Sequence, residues 1–360
     1  MYTHYAPMVS YYSAKTRACL GYKRIPFVEP YEPATYRDRI APAVGRTVFP
    51  VLESDDGEIL QDTTVIIDAL EERHPERPVF PRDPVLMLVT RIVEFFVDEL
   101  WVVTAMQTRW NDPDARRFVI AEFNRFFGQG DADDIWANGD AVAERMQSYL
   151  PALGIDNEPG QRLIQRLFEE ATELLDQAVG PRQFAFGPHP SLADCCLYAA
   201  YYPHQYRDHG SAQAHLKTKA ANLSYFLDNM HAAYGMPGEG ELGLTEPFLS
   251  YLRYIGPIGA AYATSVERLA EPVLAAAAPG EEVEQGLTPE IELFGETYRR
   301  FCTVFSAWKA QRVREAYECL SGEEREQGDA LMADIGWGEF LGLSPDFRME
   351  RVGFALRRSG

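Results

Sequence analysis

The stretch "TVFPVLESDDGEILQDTTVI", Thr47 to Ile66, decides how the first part of this chain is read. Thr47 to Ser54 has the β-branched and apolar content of a strand, with Pro50 inside it. Proline cannot donate to a β-ladder, so it belongs at an edge, a bulge or a cis turn. Asp55 to Gly57 is a hairpin signal, and Glu58 to Gln61 supplies a returning strand. The helical pattern "DTTVIIDALEERHP" follows, with Asp62 or Thr63 as its N-cap and Pro75 beyond its end.

Working outward, "MYTHY" predicts a first strand, Ser10 to Leu20 a helix, and "IPFVEPY" from Ile25 a second strand. The order is βαβ, a linking helix or turn at "TYRDRI", then ββα. Ser10 and Ser13 bracket two tyrosines at the helix start. With cysteines in their place the stretch would be the C-x-x-C of a thiol–disulfide enzyme. A cis bond before Pro50 would turn the Phe49 backbone toward a ligand in strand fashion. At the next helix start, a carboxylate on Asp62 suits an ammonium group, and the hydroxyl and N–H groups of Thr63's turn suit a carboxylate. Together these residues describe a socket for a small peptide with a charged amino-acid end.

The texture changes after Pro84. Helices are predicted at Pro84–Trp110, Asp114–Phe127, Gly139–Leu150, Gly160–Val179 and Ser191–Tyr206, the last opened by a capping box in "SLAD". Beyond about Gly235 the pattern is a loop, a Gly- and Pro-interrupted helical stretch, and a flexible acidic connector at Ala275–Gly286. A long helix at Pro289–Leu320 and another ending at Gly336 complete it. The expected domains are therefore 1–80, 84–235 and 236–360.

With 34 basic and 54 acidic residues the formal charge is −20, a surface that repels nucleic acid and anionic lipid, so neither is expected as a partner. A content of 46% apolar and 24% charged residues suits a globular chain with real cores. The cysteines are Cys19, Cys195, Cys196, Cys302 and Cys319, an odd and scattered set that argues for a reducing compartment. The first residues lack a basic and apolar leader, so a cytoplasmic protein is expected. Val85–Met106 is apolar, but Arg91, Glu94, Asp98 and Glu99 interrupt it, as the polar stripe of a buried soluble helix does.

Several motifs fail on context. "GEGELG" (Gly238–Gly243) matches G-x-G-x-x-G without a preceding strand, and its glutamates would repel a pyrophosphate. Asp131–Asp134 lacks the glycine and later glutamate of a calcium loop. Cys195 and Cys196 are adjacent on a helix, pointing about 100° apart. No metal site is expected.

In order and spacing, "SYYSAKTRACLGYKRIPF", "FPVLESDDGEILQDTTVI" and "GPHPSLAD" resemble the glutathione transferase family over roughly residues 1 to 230. The stretch "AWKAQR" (Ala307–Arg312) resembles long-tailed bacterial members. The resemblance implies a thioredoxin-like α/β domain, an all-α C-terminal domain and here an extra, mostly helical C-terminal segment. It implies glutathione as cosubstrate, Ser10 as the residue that activates its thiol, and Phe49, Pro50, Asp62 and Thr63 as its binding residues. Phe49 stands where Val or Ile is usual, and Asp62 and Thr63 where Glu and Ser are usual. Tyr5 and Ser13 are the rival activators, ranked below Ser10. A plain helix N-cap is the alternative role for Ser10.

Tyr11, Trp101, Met106 and Trp110 are candidates for an apolar wall against a small-molecule electrophile, with core packing as the alternative for each. The resemblance also implies a homodimer. The expected activity is addition of the glutathione thiolate to an electrophilic carbon, as a transferase or a related lyase, dehalogenase or isomerase. The alternative is a non-catalytic binding or assembly module.

Overall fold

A computed structural model of the chain describes residues 1–30, 33–127, 139–180, 183–232 and 240–359. The acidic turn Asp131–Asp134 and the start of the 238–243 loop lie outside the described residues. By packing, the chain groups into two units, residues 1–80, 104–149 and 179–242, and residues 81–103, 150–178 and 243–360.

The first unit begins with strand β1 (Tyr2–Tyr5), helix α1 (Tyr11–Tyr22), strand β2 (Phe27–Val28), strand β3 (Val51–Ser54) and strand β4 (Ile59–Gln61), followed by the helix Thr63–Arg73. The sheet order is β2-β1-β3-β4, with β1 parallel to β2 and antiparallel to β3, and β4 antiparallel to β3. This is the thioredoxin-like arrangement expected from the sequence. The expected turn holds: Gly57 has a φ of 85°, a conformation glycine adopts without a Cβ penalty, and its N–H donates to the Ser54 carbonyl at 3.0 Å. The Phe49–Pro50 bond is cis, and β3 starts one residue later, at Val51.

Helix α1 is buried along almost its whole length because it packs against both Thr63–Arg73 and Leu192–Tyr201. Its small residues Ala14, Ala18 and Gly21 are all buried. The predicted capping box is present at the start of Leu192–Tyr201. Asp194 accepts from the Ser191 N–H at 2.8 Å, the Ser191 hydroxyl at 2.7 Å and the Ala185 N–H at 2.7 Å. Burial pushes its carboxyl up to about 6 against those bonds.

The second unit is built on the helix Pro84–Phe96, capped by Asp83, which accepts from the Val85 and Leu86 N–H groups. A π-helical turn, Val97–Trp101, follows and carries Asp98 and Glu99. The polar stripe is buried and paired: Arg91 with Glu94 at 2.6 Å, Asp98 with Lys309 at 2.7 Å, and Glu99 accepting from the Ser306 hydroxyl. Lys309 and Ser306 belong to the helix Phe305–Glu318. No helix among the described residues is long and apolar enough to cross a membrane.

Three readings of the last segment need correction. The helix expected over Pro289–Leu320 begins only at Phe305. Before it, Glu290–Leu293 and Glu296–Arg299 form a hairpin, turned by Phe294 (φ 56°) and Gly295 (φ 82°). The reason is period-two patterning: Ile291 and Leu293 are buried while Glu290 and Glu292 are exposed. The stretch expected to be broken by glycine and proline is one helix, Glu246–Ala276, with Pro257 and Pro272 inside it. The acidic connector is tied down. Val283 N–H donates to the Leu356 carbonyl at 3.0 Å and Gly280 N–H to the Arg358 carbonyl at 2.8 Å, alongside a final hairpin of Met349–Val352 and Ala355–Arg358.

Candidate active site

Strand register gathers the candidate residues at one end of the sheet. Val51 lies opposite Tyr5 on one side and Gln61 on the other. Pro50 precedes Val51, Asp62 follows Gln61, and the loop to Ser10 leaves from Tyr5. Three segments distant in sequence therefore end together because their strands pair in this register.

Ser10 is the N-cap of α1, with extended backbone (φ −80°, ψ 125°). Its Oγ accepts from the Ser13 N–H at 3.3 Å and from the Ser13 hydroxyl at 2.8 Å. The cap and the candidate catalytic group are thus the same atom. Ser13 itself is fully buried and donates to Ser10. Tyr5 is buried and committed elsewhere: its hydroxyl donates to Glu53 at 3.0 Å and accepts from Arg39 at 2.9 Å. Arg39 holds the Glu53 carboxyl below its ordinary range, against a smaller upward push from burial.

Two arginines hold the loop between Tyr5 and Ser10. Arg17 donates to the Ala6 carbonyl at 3.0 Å and pairs with Glu29 at 2.7 Å. Glu29 also meets His4 Nδ1 at 2.7 Å, and His4 Nε2 lies 2.8 Å from the Thr16 hydroxyl. Burial pushes Glu29 up, but its bond to His4 and the charge of Arg17 together outweigh that and hold it low. Burial pushes His4 down. The second arginine, Arg109, donates to the Val9 carbonyl at 2.7 Å. Neither arginine role was visible from local motifs. Arg109 stands 100 residues from Val9, and no spacing rule connects them.

Phe49 is half-buried; its ring stacks on Tyr36 at 4.5 Å and meets Phe126 edge-on at 5.4 Å. Tyr36 in turn brackets Val48, donating to its carbonyl at 2.6 Å and accepting from its N–H at 2.9 Å. Tyr36 thus holds the backbone just before the Phe49–Pro50 bond, a contact that the sequence reading passed over. Asp62 has a φ of 81°, uncommon for a residue with a Cβ, and its carboxylate accepts from the Thr64 N–H at 2.9 Å. Thr63 is nearly fully buried. Backbone strain at a half-buried capping carboxylate is what a ligand-binding position would carry.

The apolar wall fares differently. Trp101 is fully buried near Phe96 and Phe168, and Trp110 is 1% exposed and stacked on Phe123. Both are core side chains here, since a ring enclosed on all sides has no face left for a ligand. Tyr11 is buried with its ring edge-on to Tyr12 and His204, at 5.2 and 5.7 Å. Cys19, Cys195, Cys196 and Cys302 are buried free thiols and Cys319 is exposed. None of the cysteines lies in the first loop.

The sheet order, the cis-proline before β3 and the capped helix that follows define a thioredoxin-like domain. Residues 5–78 match the family model described as "Glutathione S-transferase, N-terminal domain". This part of the chain is a glutathione S-transferase N-terminal domain, and a mostly helical region follows it. The chain is similar to a solved glutathione S-transferase from Methylobacterium radiotolerans in complex with glutathione sulfonate. The two are 22% identical, with 66% of this chain and 96% of that one covered and a TM-score of 0.35. It is similar to the beta-etherase LigF from Sphingobium sp. strain SYK-6, at 18% identity, 70% and 99% coverage and a TM-score of 0.45. It is also similar to a maleylacetoacetate isomerase from Anaeromyxobacter dehalogenans, at 19% identity, 70% and 90% coverage and a TM-score of 0.36. No curated protein matches the sequence.

Proposed function

We propose that this chain binds glutathione at the end of its first sheet and ionises the thiol for attack on an electrophilic carbon. The single observation that carries this reading is the hydrogen bonding of Ser10. Its Oγ accepts from Ser13 twice, at 2.8 and 3.3 Å. A hydroxyl has two acceptor sites and one proton. With both acceptor sites used, what Ser10 has left to offer is the proton, which suits a sulfur anion.

The magnitudes are compatible. A free thiol ionises near pH ~8.5, and lowering that by about two units requires roughly 2.7 kcal/mol of preference for the thiolate. One hydrogen bond to a charged group supplies about 1.5–3 kcal/mol, and the positive end of α1 adds roughly 0.3–1 kcal/mol. Ser10 does not take the thiol proton, which passes to solvent. The sulfur pair then forms the C–S bond, and the leaving group departs with the electrons of the bond that breaks. The cis Phe49–Pro50 bond and the Asp62–Thr63 turn would hold the peptide and its charged amino-acid end. A small, largely apolar electrophile and a homodimer belong to the same proposal.

The test is a pair of variants. Ser10→Ala is expected to lose at least about tenfold in turnover of a generic aryl halide, one charge-assisted bond being worth that much. It should also lose the ultraviolet signature of bound thiolate at pH 7. Tyr5→Phe should keep both. Full turnover in Ser10→Ala would overturn the proposal. Absence of retention on immobilised glutathione and of turnover in the unaltered protein would favour a non-catalytic module.

A further inference from the structure

Arg109 is 2% exposed, and its guanidinium is spent in one place. Nε and one terminal nitrogen grip Asp208 as a bidentate pair, at 2.5 and 3.0 Å. The same terminal nitrogen donates to the Pro203 carbonyl at 2.6 Å, and the other donates to the Val9 carbonyl at 2.7 Å. Asp208 is also 2% exposed, so the pair is neutral as a unit and buried as a unit. A guanidinium is planar with donors in a rigid fork, so the direction of each bond is set by the others.

The peptide joining Val9 to Ser10 is planar. Its oxygen is held by Arg109 at 2.7 Å, and its N–H donates to the Pro7 carbonyl at 3.0 Å. A peptide plane held at both edges has no freedom to rock about the chain axis. The Cα of Ser10 is bonded to that plane, so the direction in which its Cβ leaves is set before the side chain chooses a rotamer. Ser13 then determines the rotamer, through its two bonds to Ser10 Oγ.

We infer that the buried Arg109–Asp208 pair is a positioning device for the Ser10 hydroxyl, acting through the Val9 carbonyl. This rests on the reading of Ser10 as the thiol activator and adds residues that touch neither the thiol nor the electrophile. A hydrogen bond to sulfur weakens steeply with misalignment. The loss of the Val9 grip therefore appears as a less stable thiolate rather than as weaker peptide binding.

The experiment is a cycle over Ser10→Ala, Arg109→Lys and their combination, read as the pKa of the glutathione thiol in the complex from its ultraviolet difference spectrum. Lysine keeps the charge and loses the fork. Arg109→Lys is expected to raise the bound thiol pKa by about one unit and lower kcat about tenfold, with KM for glutathione within about twofold. In the Ser10→Ala background the same change should add nothing, because its effect runs through the hydroxyl. A second variant, Arg109→Met with Asp208→Leu, removes both charges and leaves neither buried alone. It should raise the thiol pKa as Arg109→Lys does, and it serves if the lysine variant does not fold.

An unshifted thiol pKa in a folded Arg109 variant would overturn the inference. So would an equal further shift in the Ser10→Ala background. If Ser10→Ala raises the pKa and the Arg109 variants do not, only the positioning role falls. If the unaltered complex holds no thiolate, the Ser10 reading falls and takes this role with it.

Discussion

At the scale of the residue, burial separates the chemistry of otherwise similar groups. Burial pushes the Cys19 thiol up to about 12, and Cys195 and Cys302 also move up, while Cys319 is exposed. Thiolate is the reacting form, so an aromatic disulfide reagent at neutral pH should label the native protein at Cys319 alone. The remaining thiols should react only on unfolding. Two or more fast equivalents would show that the packing around at least one of the buried thiols opens readily. The same scale explains Tyr5. It has the right hydroxyl near the right loop, yet Glu53 and Arg39 occupy it from both sides. A candidate list drawn from residue type could rank Tyr5 below Ser10. What holds its hydroxyl is visible only in the fold.

At the scale of the element, the long helix Glu246–Ala276 shows why a glycine inside a helix can be a packing requirement. A Cβ on Gly256 would stand 2.0 Å from the Ile335 carbonyl oxygen, which is backbone and cannot swing aside. In an open helix, alanine would gain about 1 kcal/mol over glycine. Here the clash outweighs that gain. Gly256→Ala should lower the unfolding free energy by roughly 1–3 kcal/mol, the usual cost of overpacking. Urea denaturation of the full chain measures it, and a stabilised variant would show that the helix and the Ile335 turn are not packed this closely. The hairpin at Glu290–Arg299 teaches a related lesson. Its alternation of Glu with Ile and Leu, and the Phe-Gly pair at its turn, were legible as a strand pattern. The helical texture of the flanking sequence hid them.

At the scale of the whole molecule, the C-terminal stretch is not an appendage. Residues 243–360 share a unit with 81–103 and 150–178. The helix Pro84–Phe96 buries Leu88, Val89, Ile92 and Phe96 completely, packed against Phe305–Glu318 and Glu246–Ala276. Lys309 meets Asp98 at 2.7 Å and Glu94 at 3.7 Å, with all three side chains buried. Deleting the stretch would expose that apolar face to water and take Lys309 from Asp98, while Glu94 would keep Arg91. A chain ending at residue 242 is therefore expected to aggregate or to lose its near-ultraviolet dichroism. A monodisperse, folded product in gel filtration would refute this.

How much was legible follows from how far each interaction reaches along the chain. The strand–turn–strand of Val51–Gln61, the proline before it, and the caps at Ser10, Asp62 and Ser191 all rest on neighbours a few residues apart. Spacing alone was enough to place them, because turns, caps and periodic faces are local physics. Tertiary structure alone decided that the Tyr5 hydroxyl meets Glu53 and Arg39, that Arg109 grips the Val9 carbonyl, and that the polar stripe of Pro84–Trp101 is answered by Ser306 and Lys309. Those pairings join residues that no period relates. They form because a buried charge or polar group must find its partner wherever folding brings one within reach.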